Sequence, residues 1–190
     1  MEALICNLTA KGPLDESAAD LIWKKAEVRT VDRGELLLAA GSRCDRIYFV
    51  EAGILRSYVI GTNGQERIVM FGFADWWITD IEGFTLRKAA SVSIQSLTPC
   101  RLVVLRKADI DTLLATSHPF ESIWRKMMQY SYIREQRRAL ELISLEAPDR
   151  YQNLLARYPD IEQLISQKHL AQYLGVTPEF LSAMKRRLKP

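Results

Sequence analysis

The chain has 190 residues, 48% of them hydrophobic and 26% charged, enough to bury one good core and a smaller second one and too apolar to stay disordered. The formal net charge of +3 neither demands nor excludes a polyanionic partner, while Cys6, Cys44 and Cys100, odd in number and far apart, argue against a disulfide framework and against a CxxC metal or iron–sulfur cluster. No leader-like start is visible and no apolar run approaches the roughly 20 residues that span a bilayer, so a cytoplasmic protein, neither secreted nor membrane-embedded, is expected.

In chain order, Leu14 to Ala26 places Leu14, Ala18, Leu21 and Ile22 at helical spacing behind the acids and serine of a first turn, which predicts a short amphipathic helix. The pattern then changes to brief apolar or alternating runs: 35–39, 46–50, 54–60, 66–73, 91–94 and 100–105. Turn signals separate them at Arg33-Gly34, Gly41-Ser42, Ala52-Gly53, Asn63-Gly64 and Thr98-Pro99. Many short strands at close spacing predict a β-sandwich or β-roll. From His118-Pro119 to about Glu146 no glycine or proline interrupts one long helix. Its apolar residues Phe120, Ile123, Met127, Tyr130, Ile133, Leu140 and Ile143 form an imperfect seam, broken near Gln136 and Arg137. That seam either joins two copies of the chain or lies across the chain's own sheet; the helix length and the frequency of symmetric dimers favour the first. Pro148 is expected to end this helix, and Tyr151 to Arg157 to begin another.

The last 25 residues hold the most specific pattern. Ser166 is placed to cap a helix that Gly175 stops in the left-handed conformation, and Thr177-Pro178-Glu179 supplies a cap, a proline at the first helical position and an acid for a second helix. Leu170, Leu174, Val176, Leu181 and Met184 fall where two such helices pack, with Ala171 small at their closest approach. The basic residues Lys168, Lys185, Arg186, Arg187 and Lys189 gather here against the single acid Glu179. On the second helix Glu179, Ser182, Lys185, Arg186 and Lys189 recur at three- or four-residue spacing. This suits a helix lying in the major groove of double-stranded DNA: Glu179 to accept from a cytosine amino group, Ser182 to donate to several base edges, Arg186 to reach guanine or phosphate. Lys168 and the Ser166 end of the first helix would face the phosphate backbone, and Thr177 is counted with the DNA-binding candidates. An ordinary helical hairpin with a solvated charged face is the competing reading.

Taken together, a glycine-punctuated β-roll (Arg33-Gly34-Glu35, Gly41, 47–53 and Asn63-Gly64-Gln65-Glu66), a long helix and the helical pair with Leu174-Gly175-Val176-Thr177-Pro178-Glu179 resemble the catabolite activator (Crp/Fnr) superfamily of bacterial transcription regulators. Residues 144–160 are similar to the connector of its Bacteroidetes-type members. The resemblance implies an α+β fold: a jelly-roll-like, cyclic-nucleotide-binding-like sensor domain over 1–115, a dimerisation helix over 116–147, and a helix-turn-helix DNA-binding domain over 148–190 without a C-terminal wing. It also implies a homodimer, a DNA partner and RNA polymerase as a candidate partner.

Departures from the family pattern bear on the ligand. In cyclic-nucleotide binders of the family a Gly-Glu pair holds the ribose and an Arg-Ser or Arg-Thr pair the cyclic phosphate. Here the turn reads Ala74-Asp75-Trp76-Trp77, the Gly-Glu positions fall on Ile78 and Thr79, and the arginine position falls on Ala90, with Ser91 as the hydroxyl partner. Arg87 and Lys88 are near enough in sequence to substitute, but Asp75, Asp80 and Glu82 oppose an anion. A buried phosphate without its arginine costs several kcal/mol, so a degenerate pocket that does not hold cyclic AMP in the usual way is expected, its effector open. Trp76 and Trp77 are either core residues or the lining of an apolar effector site. Ala183 occupies a position that relatives often fill with arginine, which would reduce base readout. His118 and His169 are too far apart, and too few, for a metal or haem site, and no nucleophile–base pair or phosphate-cradling loop is visible, so neither catalysis nor a cofactor is expected. The alternative is a ligand- or protein-binding β-roll whose C-terminal hairpin reads no DNA sequence.

Overall fold

A computed structural model describes residues 1–188. The chain divides into two compact units, residues 1–59 with 69–130, and residues 60–68 with 131–190. The division falls inside the longest helix.

The first unit opens with two helices, α1 (Glu2–Thr9) and α2 (Glu16–Lys25). Asp15 starts α2 by accepting from the Ala18 amide at 2.7 Å. The same carboxylate accepts from the hydroxyl of Ser117, which in turn caps the long helix through the Phe120 amide, so one acid ties two helix starts together. The strands are β1 (Glu27–Val31), β2 (Leu36–Leu38), β3 (Arg46–Ala52), β4 (Leu55–Ile60), β5 (Glu66–Gly72), β6 (Trp77–Ile78), β7 (Ser93–Ser96) and β8 (Cys100–Arg106). They form two four-stranded sheets, ordered β1-β8-β3-β6 and β2-β7-β4-β5, which answers the expected β-roll. In β3 the consecutive residues Ile47, Tyr48, Phe49 and Val50 are all buried. Alternate residues of a strand point to opposite faces, so β3 is covered on both sides, and its run is continuously apolar for that reason. Gly53 turns the chain out of β3 at φ +90°, where a β-carbon would lie 2.4 Å from the Pro99 carbonyl oxygen; no other residue fits.

Three further helices belong wholly or partly to this unit: α3 (Ile81–Leu86), α4 (Lys107–Thr116) and the first half of α5 (His118–Ser144). Phe120, Ile123 and Met127 of α5 are buried in the same core as Leu4, Leu8, Ile22 and the strands. The expected seam is therefore two things in succession. Its first half packs within the chain, and only Tyr130, Ile133, Leu140 and Ile143 are exposed.

The second unit contains residues 60–68, from the end of β4 to the start of β5, and the remainder of α5, then α6 (Ala147–Arg157), α7 (Ile161–Leu164), α8 (Gln167–Leu174) and α9 (Pro178–Leu188). Pro148 lies in the first turn of α6, where a missing N–H costs nothing, so the helix expected from Tyr151 begins four residues earlier. Ala147, Tyr151, Leu154, Ile161, Ile165, Leu170, Ala171, Leu174, Leu181 and Met184 are buried in this unit. Each fully buried leucine contributes about 1.5–3 kcal/mol, enough for a small core of short helices. No helix is long and apolar enough to cross a membrane among the described residues.

Candidate nucleic-acid interface and anion cassette

In the first unit the turn from β6 into α3 carries the segment expected to hold a ligand. Asp80 caps α3 and is 5% exposed. Its carboxylate accepts from the Gly83 amide at 3.2 Å, the Ser91 amide, the Ser91 hydroxyl at 2.8 Å and the Val92 amide at 3.2 Å. Burial pushes this carboxyl up, but the hydrogen bonds from Ser91, Gly83 and Val92 outweigh it and hold the group below its ordinary value, so it is a carboxylate at neutral pH. A nest of amides and a hydroxyl that would suit an anion is thus occupied by the chain's own anion.

The other residues expected at the pocket have packing or hydrogen-bonding partners of their own. Ile78 belongs to the core, Thr79 donates to the Arg46 carbonyl, and Ala90 is buried beside α3. Trp77 packs on Phe49 with ring centroids 5.3 Å apart and donates through Nε1 to Asn7, while Trp76 meets Phe73 edge-on at 5.6 Å. For Trp77 this is core packing. The two cations close enough in sequence to serve a phosphate are engaged elsewhere, Arg87 with Asp111 at 2.9 Å and Lys88 with Glu82 at 3.6 Å. The sequence alone reads Asp80, with Asp75 and Glu82, as an acid that opposes an anion. The signal that identifies it is an acid three residues before Gly83 at a helix start, the N-cap spacing, whereas its partners Ser91 and Val92 are set by the fold.

Residues 28–117 match the cyclic nucleotide-binding domain family. Within this domain the position expected to carry a phosphate-binding arginine is the buried Ala90, and its hydroxyl neighbour Ser91 is spent on Asp80. No curated protein sequence matches the chain. Solved structures of similar fold include the c-di-GMP-responsive global regulator CLP of Xanthomonas campestris, with 15% identity over 92% of each chain and a TM-score of 0.74. A protein of Eubacterium rectale assigned to the Crp/Fnr family of transcriptional regulators gives 18% identity over 93% of this chain and 84% of that one, with a TM-score of 0.75. FixK2 of Bradyrhizobium japonicum gives 17% identity over 86% and 84%, with a TM-score of 0.73. At these identities the likeness is one of fold, and it extends past the nucleotide-binding domain into the helices that follow.

In the second unit, α8 and α9 are bounded by the residues the sequence marks. The Ser166 hydroxyl accepts from the His169 amide at 3.3 Å, and Gly175 ends α8 at φ +74°, a left-handed conformation that disfavours any β-carbon. The Thr177 hydroxyl accepts from the Phe180 amide at 3.1 Å and opens α9. Leu170, Ala171 and Leu174 of α8 and Leu181 and Met184 of α9 are buried as the two helices pack together. Ser166 and Thr177 are thereby caps first.

Outward from this pair, Lys168, Glu179, Ser182, Arg186 and Arg187 are exposed. Lys185 is not part of that face. It is half-buried and paired with Glu162, because it lies one position from the buried Met184, on the edge that faces α7. Spacing alone does not separate a helix's outer face from its margin. Lys189 lies outside the described residues. Two features had no sequence signal: Arg138 and Arg150 donate to the carbonyls of Tyr173 and Leu174 at 3.1 Å, supplying cations to the C-terminus of α8, and the Arg138 guanidinium lies 4.2 Å over the Tyr173 ring.

Proposed function

We propose that this chain is a DNA-binding transcription regulator of the Crp/Fnr type, bacterial and cytoplasmic, acting as a homodimer and catalysing no reaction. The observation that carries the reading is the α8–α9 pair: two capped helices joined by a left-handed glycine, buried on one side, presenting Glu179, Ser182 and Arg186 on the other. A helix so built fits the major groove with its first turn toward base edges, while Lys168 and Arg187 reach phosphates. The exposed Tyr130, Ile133, Leu140 and Ile143 are the stripe on which a second copy packs, which spaces two readers about one helical turn of DNA apart. RNA polymerase is the partner such a regulator meets at a promoter. Residues 144–160 favour the Bacteroidetes-type branch.

The cyclic nucleotide-binding domain serves as scaffold or as the receptor of an effector other than cyclic AMP, since its amide nest holds Asp80 in place of a phosphate. An effector acts only by binding the DNA-competent pose of the two readers more tightly than the other pose. Incubation of the full chain with a random duplex pool at two salt concentrations, followed by sequencing of the retained fraction, tests the reading. Enrichment of an inverted repeat is expected. Retention without any enriched motif would favour a β-roll module whose hairpin reads no sequence.

A further inference from the structure

Phe180 is 51% exposed in the first turn of α9, although every other large apolar residue of α8 and α9 with described burial is wholly or partly covered. Its place is fixed. Its amide is held by the Thr177 hydroxyl, and Pro178 sets the backbone just before it. At 100° per residue the outer surface of α9 carries two rows. Glu179, Ser182 and Arg186 form a polar row, and Phe180, Ala183 and Arg187 form a second row at spacings of three and four. The second row runs from an aromatic ring through a methyl group to a cation. Ala183 is half-buried and small, so its own side chain does not hold a partner away from the ring.

Resting on the reading of α9 as the helix that enters DNA, we infer that Phe180 is a specificity-determining residue that packs against the 5-methyl group of a thymine. In the major groove every base edge presents hydrogen-bonding atoms, and thymine alone adds an apolar group. An aromatic side chain in the first turn, where such helices approach base edges, finds an apolar partner only there. The exposed Arg186 and Arg187 both lie about two turns further along the helix, where they complement the phosphates flanking such a contact. The two rows divide the work: the polar row selects by hydrogen bonds, and the Phe180 row selects by a methyl group.

The test takes the duplex motif retained from the random pool and replaces its thymines one at a time by deoxyuridine, which pairs identically and lacks only the methyl. At one thymine of the motif the wild-type chain is expected to bind about fourfold more weakly, the worth of burying one methyl group. Phe180→Ala is expected to weaken binding to the thymine duplex and to show no further loss at that position, while Phe180→Leu keeps most of the discrimination. Circular dichroism of both variants checks that the helices persist. A wild type indifferent to every deoxyuridine, or a methyl effect that survives in Phe180→Ala, overturns the inference while leaving DNA reading in place. A change in oligomeric state with unaltered DNA affinity would instead make Phe180 a protein contact and also overturn it. If no duplex is retained at any salt concentration, the DNA reading itself fails and this inference falls with it.

Discussion

Asp80 and Arg186 are both charged residues on or beside a short helix, and the fold treats them oppositely. Asp80 is 5% exposed and its carboxylate is saturated by Gly83, Ser91 and Val92, whereas Arg186 stands on an exposed helix face. A buried charge survives only when the protein itself supplies its partners, and those partners are then unavailable to a ligand. An exposed charge at regular helical spacing pays no such desolvation cost and keeps its hydrogen-bonding capacity for another molecule. The amide nest beside α3 is thus closed on its own carboxylate, and the charge of Arg186 stands in solvent.

The strongest way to break this comparison is to empty the nest. Asp80→Ala leaves three amides and a hydroxyl without their acceptor and is expected to destabilise the first unit by about 3 kcal/mol or more, read by urea denaturation. The same group gives a pH signature. Because its folded pKa lies below the ordinary carboxyl value, its stabilisation is fully present above about pH 4 and is lost as pH falls through the lower, folded value. Asp80→Asn should flatten that acid limb, and an unchanged limb would mean that the nest contributes nothing to it.

The next effect concerns α5, where the same division recurs along one helix. Phe120, Ile123 and Met127 are buried in their own unit, whereas Leu140 and Ile143 are 58% and 85% exposed. Replacing Leu140 and Ile143 with aspartate is expected to weaken dimer association by about 2 kcal/mol or more, seen as dissociation in analytical ultracentrifugation with circular dichroism unchanged. A wild type that is monomeric at micromolar concentration would contradict the proposed stripe.

How much was legible in the sequence depended on whether a residue's role is set locally. The caps Ser166 and Thr177, the stop at Gly175 and the strands β3, β4 and β8 follow from short patterns, and the structure has them where the pattern puts them. The strand β1 was not visible because Glu27–Val31 has little apolar alternation and is mostly exposed, its existence resting on pairing with β8. A two-residue strand such as β6 has no period at all. The helix α1 holds Leu4 and Leu8 in the core, yet eight residues with two buried leucines are too few for a periodic signal. On α9 the exposure of Glu179, Ser182 and Arg186 was legible from helical spacing, whereas the withdrawal of Lys185 into a pair with Glu162 and the internal use of Ser91 depend on residues brought close by folding.

The central claim, that the exposed row of α9 reads duplex DNA, is tested most directly by measuring the affinity of the full chain for its selected duplex with Arg186→Ala and Lys185→Ala side by side. Loss of a base- or phosphate-contacting side chain costs about 1–3 kcal/mol, so Arg186→Ala should bind about 5- to 150-fold more weakly. Lys185→Ala, which removes only a partly exposed pair with Glu162, should change affinity little and stability by about 1 kcal/mol at most. Wild-type affinity in Arg186→Ala, or an equal loss in both variants, would contradict the assignment of the reading face.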